Sequence, residues 1–234
     1  VTQAGGPSAV ATRLRRSNTI AGIAFFVGGS LFAIGACVAQ LGSGDALTAA
    51  SIYFAGGLFF NIGGYTSLLV AINERENERW RWWSYEPHDA DWLSAFVLFV
   101  GTIAFGISLI HSFLHGLNTQ EANRMIWRPE MIGCILFLVS GHVAMRGICG
   151  RWRPCIRHDL GWWIVAINQA GSALFMVSAL AGFTRPATSH ELSAGIANWG
   201  TLLGALCFAV AGALQVLDRP DADLNSAASP DPRA

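Results

Sequence analysis

The chain has 234 residues, 53% of them hydrophobic and only 13% charged, with a mean hydropathy of +0.42. A soluble domain carries roughly twice that charged fraction, so the composition excludes an ordinary water-soluble globule. The formal net charge is zero, which excludes a bulk electrostatic partner such as nucleic acid.

The first 18 residues form a tail rich in small and polar residues, read as disordered. Val1 fits a non-standard start codon or a trimmed end. Six apolar runs follow, at about 20–40, 48–71, 93–115, 129–147, 161–182 and 195–216. Each reaches the length of roughly 20 residues that a helix needs to cross hydrocarbon. They lack the alternation of a barrel strand, and backbone in lipid must satisfy its own hydrogen bonds, so all six are predicted as transmembrane helices. They make one domain over 19–217, in hairpins at about 19–72, 92–147 and 161–217, and a second disordered tail closes the chain at 218–234. The fold class expected is all-α integral membrane.

The first run admits another reading. Arg13, Arg15 and Arg16 ahead of it fit a signal sequence, and Ile34-Gly35-Ala36-Cys37 has the form of a lipobox. A recurrence favours a retained span instead. GGSLFAIGA at Gly28 returns as GGLFFNIGG at Gly56, GTIAFGISL at Gly101, GCILFLVSG at Gly133, GSALFMVSA at Gly171 and GALCFAVAG at Gly204. Every run therefore carries a Gly with a Phe four residues on: Gly28/Phe32, Gly56/Phe60, Gly101/Phe105, Gly133/Phe137, Gly171/Phe175 and Gly204/Phe208. A small residue follows seven after each Gly. Positions i, i+4 and i+7 share one helix stripe, so the pattern is a packing device for close helix approach. Odd runs resemble odd and even resemble even. EPHDADW and IRHDLGW also place His88/His158, Asp89/Asp159 and Trp92/Trp162 seventy residues apart. The sequence thus reads as three copies of one two-helix unit.

Twelve Arg fall at one end of the predicted bundle (13, 15, 16, 75, 79, 81, 146, 151, 153, 157, 219, 233) and three at the other (124, 128, 185). The positive-inside rule places the Arg-rich end and both termini in the cytoplasm of a multi-pass protein of the inner (plasma) membrane. The nine Trp lie near run ends and read as interfacial anchors. NERENERWRWW from Asn73 has acids and Arg at helical spacing, which predicts an amphipathic turn or two beyond the second run.

GGSLF at Gly28 to Phe32 and LFFNIGG at Leu58 to Gly64 resemble the YrhK-like family of small bacterial membrane proteins. The resemblance covers the spans and not the loops. It implies an integral membrane protein without established catalytic residues.

Candidate chemistry is sparse. His88, Asp89, His158 and Asp159 would bind a divalent metal if the two elements converged, but Asp before a helix is more often an N-cap. Cys149 and Cys155 have five residues between them, too wide for a close zinc pair, and a reducing cytoplasm favours free thiols. Asn61, His142, Asn168 and Gln169 are the polar residues within the runs, where they serve either as interhelical glue or as the lining of a path. His111 and Glu130 lie nearer the outer ends. No nucleophile elbow, phosphate loop, zinc-protease motif or dinucleotide fingerprint is present.

These features favour a non-enzymatic protein of structural, stress or accessory role. It would need no cofactor, and its partners would be the bilayer and a second copy or another membrane protein. Such a protein predicts tight packing and no continuous polar cavity. A small-solute permease predicts a cavity reaching the four in-membrane polar residues. A metal-binding enzyme or sensor predicts convergence of the two His-Asp elements.

Overall fold

The structure, a computed structural model, describes residues 9–42, 46–74, 79–150, 155–157 and 159–218. Residues 1–8 and 219–234 of the two expected tails and part of NERENERWRWW lie outside these residues, whereas 9–18, expected to be disordered, are helical. The described chain is all-α but for one isolated bridge, Thr184 to Glu191. Its helices are α1 (Ala9–Leu41), α2 (Ala46–Asn73), α3 (Ala90–His111), the short α4 (Thr119–Ala122), α5 (Arg128–Cys149), α6 (Leu160–Ala181) and α7 (Ala194–Leu217). A π-helical turn, Asn123–Trp127, joins α4 to α5, so 119–149 is one continuous rod. Six helices are long and apolar enough to cross a membrane, and the architecture is that of a multi-pass membrane protein.

Two boundaries differ from expectation. α1 starts at Ala9 instead of near residue 19. Its first turns are held from outside: Leu14 is buried, and Asn18 Nδ2 donates to Gln215 O (3.1 Å) while Gln215 Nε2 donates to Asn18 Oδ1 (3.0 Å). At the other boundary, α2 ends at Asn73, whose buried amide donates to Arg81 O (2.8 Å) and accepts from Arg81 N (2.7 Å). That pairing folds the chain back and leaves 79–89 irregular. The π turn also has a local cause. Pro129 cannot donate to the carbonyl four residues earlier and crowds it, so the preceding turn widens.

Contacts among the long helices run α1–α2–α3–α5–α6–α7 and back to α1. The bundle is therefore a closed ring in which chain neighbours are also spatial neighbours. Its outside is apolar: Phe26, Leu58, Ile103, Ile135, Val177 and Leu206, one from each long helix, are all exposed. A stripe of this kind on every helix is what lipid solvates.

The inside is aromatic. Phe32, Phe105 and Phe175 form a triangle with ring centroids 6.0–6.5 Å apart. Each also packs on the even-helix ring of its own hairpin: Phe32 on Phe60 at 5.2 Å, Phe105 on Phe137 at 5.2 Å and Phe175 on Phe208 at 5.3 Å. All six are buried and belong to one core cluster. The glycines make room for them. A Cβ on Gly28 would lie 2.7 Å from Phe60 and 3.0 Å from Gly56 O, and a Cβ on Gly56 would meet Phe32 and Gly28 O. Gly171 and Gly204 stand in the same relation, and in the middle hairpin a Cβ on Gly133 would meet Phe105 and Gly101 O while one on Gly101 would meet Phe137. In each hairpin the two backbones touch at glycine, and each Phe lies over the partner's Gly.

The seams between hairpins use other devices, each with an amide. At α2–α3, Asn61 Nδ2 donates to Thr102 O (3.3 Å) and Thr102 Oγ1 to Asn61 Oδ1 (3.3 Å). At α5–α6, Gln169 Nε2 donates to Leu138 O (3.3 Å), lying against Gly141, where a Cβ would collide with it. At α7–α1 the amides are Asn18 and Gln215. This last seam is also the closest: Cβ atoms on Gly22 and Gly212 would each lie 2.7 Å from the other's carbonyl oxygen.

Candidate functional site

At the Arg-rich end, Asp89 and Asp159 are helix N-caps. Asp89 Oδ1 accepts from Asp91 N (2.8 Å) and Trp92 N (3.2 Å), and Asp159 Oδ1 accepts from Trp162 N (2.8 Å). Arg157 also pairs with Asp159 at 3.0 Å. These oxygens satisfy backbone donors that a helix start leaves open. His88 is exposed, and His158 lies outside the described residues. α3 and α6 stand on opposite sides of α5, and among the described residues no three His, Cys, Asp or Glu could hold a metal ion. The Trp residues three after each Asp act alike: Trp92 Nε1 donates to Ser84 O (3.1 Å) and Trp162 Nε1 to Cys155 O (2.8 Å).

The cysteines correct the expectation of free thiols. Cys149 and Cys155 form a disulfide. Cys149 ends α5, and Gly150 follows in the left-handed region at φ 64°, so the chain reverses there. The reversal brings the two Cα atoms to 5.6 Å, within bonding range despite the spacing. Cys37 and Cys207, half-buried, and Cys134, buried, are free.

The in-membrane polar residues do not gather. Asn61 and Gln169 hold seams, Asn168 contributes its carbonyl to Ser172 (2.9 Å), and His142 is exposed on α5. None of the four lines the cavity described next.

That cavity, of about 630 Å³, opens at the Arg-poor end among the ends of α1, α2, α3, α5, α6 and α7. The packed-hairpin reading expects tight packing along the stripes and no continuous polar cavity. The helices do meet along the Phe layer, but they spread above it. The triangle of Phe32, Phe105 and Phe175 forms the inner lining. Phe32 is nine residues from the end of α1, roughly 13 Å of helix rise. Above the triangle the wall carries Tyr53, Trp127, Glu130 and Glu191.

The rim is fastened by named contacts. Buried Asn123, in the π turn, donates to Thr184 O (2.7 Å) and accepts from Thr184 N (3.2 Å). Trp127 Nε1 donates to Ala179 O (2.7 Å), and its ring meets Phe183 edge-on at 5.0 Å. The α6–α7 connection closes on itself through Arg185 N to His190 O and Leu192 N to Phe183 O, both 2.9 Å, which carries Glu191 to the cleft. Burial there raises the Glu191 carboxyl above its ordinary pKa. Among the described residues no Arg, Lys or His lines the cleft. Neither Glu130 nor Glu191 has an ion-pair partner among the described residues.

Sequence reasoning placed Glu130 near the outer end but missed its neighbours. A signal was present: Asn123, Trp127 and Glu130 stand at i, i+4 and i+7 on one rod. Glu191 had none, because its position depends on how the α6–α7 connection folds. No family model, curated protein or solved structure matches the chain.

Proposed function

We propose that the protein is a non-enzymatic, non-conducting membrane protein of structural or accessory role. In this reading it is built from three copies of one two-helix unit and sits in a plasma membrane with its Arg-rich end in the cytoplasm. The observation that carries the reading is the six-Phe cluster: it fills the ring's axis and underlies the inner end of the cleft. A solute entering the cleft meets packed aromatic side chains instead of a path. The amides that a conduit would need near its axis are spent on the helix seams. The repeat is supported by the same Gly–Gly and Gly–Phe contacts recurring in all three hairpins, and the orientation by the Arg asymmetry.

The test is solute flux into proteoliposomes across a panel of ions, amines, sugars and amino acids. The expected result is no flux above empty liposomes. Saturable flux of any solute by the wild type would replace this reading with the permease, whose one support is the cleft itself.

A further inference from the structure

We infer that the cleft at the Arg-poor end is a binding site for a monovalent organic ammonium, a cation with an apolar body. The inference goes beyond the structural reading above, since a cleft can be occupied without conducting.

Four observations select this class. Size comes first: about 630 Å³ is within the range of small-molecule sites. Charge comes second. Glu130 and Glu191 enter one cavity with no basic lining residue and no ion-pair partner among the described residues. Glu130 is half-buried and Glu191 stands at the exposed rim, and carboxylates facing each other across a partly enclosed cavity are costly unless a cation meets them. Third is the inner lining, which includes the aromatic side chains of Phe32, Phe105 and Phe175, with Tyr53 and Trp127 on the wall above them. Aromatic faces attract substituted ammonium groups and accommodate their apolar substituents. Fourth, a bare metal ion is disfavoured: two carboxylates are too few donors, and no third His, Cys, Asp or Glu joins them among the described residues. An anion would face two carboxylates and no cation. The walls are already fastened, by the Asn123–Thr184 and Trp127–Ala179 hydrogen bonds, so the site is pre-formed and loses little on ordering.

An ammonium reaches this end of the protein either as a free amine or as the headgroup of an aminophospholipid. Both present the same chemistry to the carboxylates. The full chain in phosphatidylglycerol nanodiscs, which carry no ammonium, is titrated with benzyltrimethylammonium, with empty nanodiscs subtracted. Neopentylbenzene, its neutral isostere, serves as the charge control. Saturable binding of the cation alone is expected, at least about ten-fold weaker in Glu130→Gln and in Glu191→Gln, the loss that follows from removing a charged partner. Phe105→Leu keeps an apolar side chain but removes a ring, and weakens binding about three-fold or more. Adding phosphatidylethanolamine to the disc separates the sources: competition assigns the site to the lipid headgroup, and no competition assigns it to a free amine. Absence of saturable binding by the wild type overturns the inference. So does equal binding of the neutral isostere, or unchanged affinity in both Gln variants. Glu191→Gln changes a loop residue outside the spans, so the test survives if Glu130→Gln fails to fold.

Discussion

Single side chains divide into those that fill space and those that hold seams. Phe137 is 2% exposed and meets both Phe105 and Phe208. Lipid supplies little hydrophobic driving force between helices, so its worth is close packing. Phe137→Ala is expected to cost about 3 kcal/mol through the cavity it leaves, read as a lower melting temperature in detergent. Gly141→Ala drives a Cβ onto the flexible end of Gln169, which must swing aside and release Leu138 O, at an expected cost of about 0.5–1.5 kcal/mol, and Gln169→Ala in the same chain removes the clash. Glu191 gives a pH signature. Its pKa is raised by burial, so the fold favours the protonated acid. That contribution is fully present below the unfolded value of about 4.3 and is lost as pH rises through the folded value. The unliganded wild type should therefore lose thermal stability across that rise, and Glu191→Gln should flatten the curve. The Gly-Phe stripes were legible because a helix turns a fixed spacing into a fixed face. The partners of Asn61 and Gln169 were not legible, since seams depend on how hairpins dock.

Helices start and stop by local chemistry that the sequence largely declared. Asp89, Asp159 and Ser193 cap α3, α6 and α7 through their side-chain oxygens. Asp89→Ala is expected to cost about 1 kcal/mol, detectable as faster amide exchange in the first turn of α3. The disulfide at the end of α5 closes a short loop, and Cys149→Ser is expected to cost about 2 kcal/mol on loop-entropy grounds. An unchanged melting temperature in that variant, with thiol labelling of the wild type, would show the cysteines unpaired in the protein. The thiol expectation rested on compartment; the αL turn at Gly150 brings the two sulfurs within bonding reach, while the redox state of the surrounding compartment decides whether the bond persists. The π turn was illegible for a similar reason: Pro129 removes the ordinary helical bond there, but a widened turn instead of a stop also needs the anchoring of Asn123 and Trp127 on α6 and its loop.

At the scale of the molecule, six helices enclose a Phe core and leave one end open as a cleft. The number and length of the helices could be read from hydropathy, and the pairing within hairpins from the stripes. The closure of the ring could not, because Asn18 and Gly22 lie outside the recurring stretch, and the stretch alone does not say that Gly29 and Gly212 meet the helix at the other end of the chain. The central claim is that the first and last helices seal the ring and so confine the core. Its most direct measurement is cross-linking in native membranes of a chain whose other cysteines are replaced, carrying Asn18→Cys with Gln215→Cys. A control chain pairs Asn18→Cys with Met145→Cys on α5, which α1 does not pack against. The account predicts rapid disulfide formation in the first chain and none in the second; equal or absent cross-linking in the two would contradict a closed ring.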